Sequence, residues 1–218
     1  MTTVVAAQLA PPGAVTACAA IAVSVLMLAL WLLSIPLRDV SIVDPAWGPA
    51  FVLVALVSAI AGAGCMGRRW LLLGMTAVWG MRLGAYLLVR KLREPGEDRR
   101  YAAIRERRGA GFVLRSLVWI FGLQRLLVLI VSLPIQVAAG RGGALTAAVI
   151  PGVVLFLVGL AFEAIGDEQL RRFKACSDSH GQVMDQGLWR RPGYAEYVRR
   201  TSGFFPWPPK RGGGQGDC

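Results

Sequence analysis

The chain has a single histidine, His180. A histidine-based metal site needs more than one imidazole, so that chemistry is excluded. Its four cysteines (Cys18, Cys65, Cys176 and Cys218) show no CxxC or CxxH spacing, and neither a zinc site nor a disulfide framework follows from them. The two common phosphate-binding signatures, GxGxxG and GxxxxGK[ST], are missing as well. Acidic residues are scarce, 13 against 24 Lys and Arg, which leaves a formal net charge of +11. The residues before the first apolar run (MTTVVAAQLAPPG) hold no Lys or Arg. The basic start of a secretory signal is therefore lacking, and the run that follows is too long for one. It reads as a retained first helix.

What the chain has in excess is apolar sequence, 55% of its 218 residues, with a mean hydropathy of +0.53. The excess is gathered into runs. Crossing the hydrocarbon core takes about 20 apolar residues, and backbone in lipid must satisfy its own hydrogen bonds. Five runs qualify: 14–37, 46–64, 70–89, 114–138 and 144–165. The expectation is an all-α polytopic membrane bundle with about five transmembrane helices. Basic residues follow the first run (Arg38), crowd the stretch 90–115 and recur after 170, while Arg68, Arg69 and Arg141 fall on the other side. By the positive-inside rule the N-terminus is outside and the C-terminus cytoplasmic. The positive charge is thus topological, the bilayer is the first partner, and nucleic acid is not expected. The division that follows is an N-terminal segment 1–13, a membrane domain 14–189 and a cytoplasmic tail 190–218, whose end (RGGGQGDC) reads as disordered.

Ionisable groups in or beside membrane helices are candidates for function, because mid-bilayer burial costs them about 2.5 kcal/mol or more. Arg82, Tyr86 and Arg90 follow one another at i, i+4 and i+8, on one helix face. The fifth run ends in Glu163, Asp167, Glu168, Arg171, Arg172 and Lys174, and its helical spacing continues through GDEQLRRFKACSD. Gln124 and Arg125 lie inside the fourth run, and Asp44 precedes Pro45 in the first connection. Each has a plainer reading. Arginines near helix ends snorkel to headgroups, Arg82 or Arg125 could pair with Glu163 inside the bundle, and Asp44 could cap a turn. Together, cations for phosphates and carboxylates for ribose hydroxyls suit a nucleotide approaching from the cytoplasm beside an apolar substrate.

Several blocks carry a resemblance: SIVDPAWG, WGMRLGAYLLVRKLREPGEDRRYAAIRER, IFGLQ, IVSLP, FEAIGDEQLRRFK and GQVMDQGLW. From about residue 41 to 189 the chain resembles the bacterial domain-of-unknown-function 1295 family, which is related to steroid 5-alpha-reductases. The resemblance implies a multi-helix enzyme of the bacterial inner membrane that uses NADPH to reduce an unsaturated lipophilic substrate. It implies Tyr86 and Asp44 as catalytic residues, with Tyr86 donating a hydrogen bond to a substrate carbonyl. Arg90, Asp98, Arg99, Glu163, Asp167, Arg171, Lys174 and Trp189 are implied as cofactor contacts. After GLW the family continues with a Tyr-x-x-Arg-His-Pro-Asn-Tyr-type signature and further helices, whereas here GLWR runs into RPGYAEYVRR. That departure implies an internal deletion joined at Arg190 or Arg191, and it puts activity in question. A non-enzymatic membrane remnant or scaffold is the alternative of another class. An isoprenylcysteine-methyltransferase-like activity rests on kinship alone.

Overall fold

The computed structural model describes residues 12–93, 96–175 and Met184. Among them every regular element is helical. In chain order these are α1 (Pro12–Leu37), a 3-10 turn (Val40–Val43), α2 (Trp47–Ala61), α3 (Met66–Arg93) and α4 (Arg99–Arg108). A second 3-10 turn (Gly109–Gly111) leads into α5 (Phe112–Ser116), a π-helical stretch (Leu117–Gly122), α6 (Leu123–Val131), α7 (Leu133–Gly140) and α8 (Val149–Ala175). The chain divides into two compact units, Met1–Val149 and Ile150–Cys218.

Among the described residues, four helices are long and apolar enough to cross a membrane: Gly13–Leu37, Met66–Arg93, Phe112–Val131 and Val149–Ala175. The protein is a polytopic membrane helical bundle; of the five expected runs, the second forms a helix shorter than that length. That run forms α2, whose 15 residues reach about 22 Å at about 1.5 Å each, short of a core of about 30 Å. The connection through Asp44 and Pro45 delays its start, and Gly62, in an extended conformation, ends it.

The core of the first unit explains what α2 does instead. Gly48, Ala50, Phe51, Val54, Ala55, Ser58 and Ala59 are all buried, and α1, α3, α6 and α7 cover the helix. A helix that is apolar all round belongs in an interior, here a protein interior. On α1, Val15, Ala19, Val23 and Met27 form a buried stripe with a four-residue period, while Ile21 and Val25 on the opposite face are more than 60% exposed. The closest approach is between α2 and α3. A Cβ on Gly80 would sit 2.6 Å from the Gly48 carbonyl oxygen, and one on Gly84 would sit 2.8 Å from the Pro49 ring.

The expected fourth run, 114–138, is interrupted twice, by the π-helical stretch and by a break at Ser132. Pro134 has no N–H to donate, and the break is closed by side chains. Ser132 Oγ and Gln136 Nε2 both donate to the Leu129 carbonyl, at 3.2 and 3.1 Å, and Gln136 also donates to Ser132 Oγ at 2.8 Å. Polar side chains that take up freed backbone groups are what allow a proline inside a membrane helix.

In the second unit the described part is α8 and Met184. The helix continues past 165 to Ala175, as its charge spacing predicted. Its membrane-length portion is widely exposed, with Leu155 and Phe162 among the side chains left open.

Substituting Gly80 by Val should lower the unfolding midpoint of detergent-solubilised protein by an amount matching about 1–3 kcal/mol of overpacking. Gly74 lies on the same helix with nothing within 4 Å of its Cβ position, so Gly74→Val should leave the midpoint unchanged. Equal effects at the two positions would contradict the close α2–α3 approach.

Candidate functional site

The site forms where α1 ends, α2 begins and α3 ends. Arg38 takes a left-handed conformation (φ 51°) and turns the chain out of α1, so that the Asp39 N–H reaches back to the Ser34 carbonyl at 3.2 Å. This is a helix stop of the kind usually given to glycine. Asp39 then caps the 3-10 turn: its Oδ1 accepts from Ser41 N at 2.9 Å and from Ser41 Oγ at 2.6 Å. Lys91, in the last turn of α3, closes on the same turn. Its Nζ lies 2.5 Å from Asp39 Oδ2 and donates to Ser41 Oγ and to the Gly96 carbonyl, each at 2.5 Å.

The segment after α3 folds back over this turn through two further carboxylates. Glu97 accepts from Val40 N at 3.1 Å and takes Arg105 in a two-pronged bond, both contacts 2.7 Å. The Arg105 guanidinium also lies 4.4 Å over the Phe112 ring. Asp98 caps α4 by accepting from Arg100 N at 3.0 Å, and it holds the Arg100 guanidinium at 3.0 and 3.1 Å. The partly buried bonds of Glu97 to Arg105 contribute about 1.5–3 kcal/mol each, and the exposed bonds of Arg100 to Asp98 contribute less. With Asp98 as the cap, Tyr101 falls in the first turn of α4 and donates its hydroxyl proton to Asp44 Oδ1 at 3.0 Å. Arg100 Nη2 stands 3.5 Å from Asp44 Oδ2.

These groups enclose a cavity of about 360 Å³, within the usual size range of small-molecule sites. Asp44, Arg90, Lys91, Asp98, Arg100 and Tyr101 form its charged wall, with Ser41 and Gly96 beside them. Pro45, Trp47 and Leu87 form its apolar wall, and Gln124 reaches it from α6. Burial raises the Asp44 carboxyl above its ordinary value, although Tyr101 and Arg100 oppose the shift. The Tyr101 hydroxyl is raised too, by burial first and then by the charge and hydrogen bond of Asp44. Burial also acts to raise Asp39, but the bonds from Lys91 and Ser41 outweigh it and leave the group lowered. Asp98 is lowered by its bonds to Arg100. The cavity wall therefore carries one carboxyl raised above its ordinary value, Asp44, and one lowered below it, Asp98.

Of the residues singled out in the sequence, the structure brings Asp44, Arg90, Asp98 and Gln124 to this cavity. Tyr86 is half-buried one turn before Arg90 on α3, and the tyrosine in the cavity wall is Tyr101. Arg99 opens α4 and is exposed. Glu163, Asp167, Arg171 and Lys174 lie on α8 in the second unit. There the acids are half-buried and the bases exposed, and Arg171 is bonded to Glu168 at 2.6 and 2.7 Å. Trp189 and the expected join at Arg190 or Arg191 lie outside the described residues. Sequence reasoning passed over Lys91, Arg100 and Tyr101 as site residues. The available signal was Asp98 as a helix cap, which places the next two or three side chains back against the preceding turn. No group of His, Cys, Asp and Glu able to hold a metal occurs among the described residues.

The four membrane-length helices among the described residues define a multi-pass membrane protein. Residues 30–199 match the family described as protein of unknown function (DUF1295), and the chain belongs to that family. The match takes in every residue of the cavity wall. No curated protein and no solved structure matches the chain.

The opposite shifts of Asp39 and Asp44 give opposite pH signatures. A lowered carboxyl stabilises the fold above its ordinary value near 3.8 and loses that contribution as pH falls through its folded value. A raised one does the reverse, losing its contribution as pH rises through its folded value. Relative to wild type, Asp39→Asn should therefore lose stability increasingly as pH rises, while Asp44→Asn should gain. Thermal unfolding across acid to neutral pH checks both, and gaps of the same sign would contradict the two environments described.

Proposed function

We propose that this protein is a membrane-embedded reductase that moves a hydride from NADPH to an unsaturated lipophilic substrate. The observation that carries the reading is the Tyr101–Asp44 pair in a cavity that is charged on one wall and apolar on the other. Membership of the family supports it through the resemblance to steroid 5-alpha-reductases. NADPH, when bound, supplies the hydride. In the first unit, the exposed Arg99 offers a further cation for its phosphates. Arg90 and Asp98 stand in the cavity wall itself.

Within the cavity, Tyr101 is the group that meets a substrate carbonyl, in place of Tyr86. Its hydroxyl turns from Asp44 to the substrate oxygen and donates a hydrogen bond where negative charge develops. Asp44 and the Arg100 beside it fix the position of the ring. The apolar wall of Pro45, Trp47 and Leu87 takes the hydrocarbon next to that carbonyl and keeps water away. The setting is the bacterial inner membrane, with the N-terminus outside and the cavity at the cytoplasmic end, because the basic residues crowd at that end.

Titrating NADPH into the purified protein should quench tryptophan fluorescence and raise the unfolding temperature. No response at millimolar cofactor would sink the reading. Tyr101→Phe should bind NADPH as wild type does, yet oxidise it about a hundredfold more slowly when membrane lipid extract is supplied, in line with loss of a general acid. Reporter fusions at Arg105 should show cytoplasmic activity, and an outside signal would reverse the orientation.

A further inference from the structure

Two groups at the cavity have no hydrogen-bond partner among the described residues. The first is Arg90. Lys91 is held by Asp39, Ser41 and Gly96, and Arg100 by Asp98, whereas Arg90 acts on Asp44 and Asp98 only through its charge, with no direct bond to either. It is exposed and follows directly on Leu88 and Val89, which are exposed as well, so its guanidinium stands where an outward apolar surface meets the charged rim. The second is Gln124, in the Phe112–Val131 membrane segment. Its Oε1 is buried and receives no hydrogen bond among the described residues. Buried acceptors are nearly always satisfied, and this one borders a space large enough for a ligand.

We propose that the cavity holds the head of an anionic amphiphile. A phosphate or carboxylate sits on the Arg90 guanidinium, which binds either in a two-pronged manner. A hydroxyl of the same head donates to Gln124 Oε1. The apolar chain leaves past Leu87, Leu88 and Val89 into the bilayer. An arginine that merely snorkels would accept any headgroup and would not involve Gln124. A free anion would leave the apolar wall of Pro45, Trp47 and Leu87 uncovered. The inference deepens the reductase reading by naming its substrate class and rests on that reading for the hydride step alone, since head binding needs no cofactor. Arg90 then serves the substrate, and the cofactor's phosphates fall to the other cations.

The test uses the full chain in phosphatidylcholine nanodiscs. Oleoyl lysophosphatidic acid, with one chain, a phosphate and a free hydroxyl, is titrated while Trp47 fluorescence is read against a Trp47→Phe control. Saturable binding is expected, weakened about tenfold by Arg90→Gln, the loss expected when one charged contact is removed. Gln124→Leu should weaken it several-fold while leaving the unfolding temperature at or above that of wild type, which separates recognition from folding. Monoolein, which has the chain and hydroxyls without the phosphate, should bind as weakly as lysophosphatidic acid does to Arg90→Gln. Unchanged affinity in both variants overturns the proposal, as does inorganic phosphate binding as tightly as the lipid. Amphiphile binding without any response to NADPH overturns the reductase reading alone. A response to NADPH without amphiphile binding overturns this proposal alone.

Discussion

The close approach of α2 and α3 is the contact on which the rest of the first unit depends. In lipid there is little hydrophobic gain from bringing two apolar helices together, so packing of small residues must hold them. Gly48, Gly80 and Gly84 let the two backbones touch. That contact sets the height of the last turn of α3 against the connection between α1 and α2. Lys91 is thereby brought to Asp39, and Arg90 is placed on the same cavity as Asp44. A bulkier residue at the contact would separate the helices and, with them, the two halves of the site.

Once the helices are set, the charged end assembles by pairing. Asp39 with Lys91, Glu97 with Arg105 and Asp98 with Arg100 each bind a short turn to its neighbour, and Glu97 also takes the Val40 N–H. The Asp39–Lys91 and Glu97–Arg105 pairs are partly buried, so they are held more firmly than exposed surface pairs, which contribute little, whereas Arg100 is largely exposed. Their effect is positional. They lay α4 over the 3-10 turn and so bring Tyr101 to Asp44, a contact that spans 57 positions of sequence. The Glu168 pairs of α8 differ in kind, because they join neighbouring turns of one exposed helix and fix no tertiary position.

Much of the fold was legible in hydropathy. The first, third and fifth apolar runs correspond to α1, α3 and α8, and the spacing of Glu163, Asp167 and Lys174 foretold that α8 would continue beyond its apolar part. The fourth run was legible as a membrane segment but its breaks were not, although Pro134 was a visible sign. The second run misled. Hydropathy counts apolar residues without telling whether lipid or protein covers them, and α2 is covered by protein. Within the site, Asp44 and Arg90 could be found as ionisable groups near helix ends, and Asp98 through the resemblance. Tyr86 is implied as catalytic by the resemblance alone, while the charged stretch holding Tyr101 reads on its own as a solvated helix.

The sequence by itself determined that the protein lies in a membrane, that it is helical, which end carries the charge, and to which family it belongs. These follow from local quantities: apolar run length, residue type and the order of motifs. Only the tertiary structure decided that α2 is a core helix, that Tyr101 rather than Tyr86 faces Asp44, and that Arg90 is left over when Lys91 and Arg100 have been claimed. Those outcomes depend on distances of a few ångströms between segments far apart in the chain. Such distances are set by how closely glycine-lined helices approach, and composition and spacing carry no measure of that.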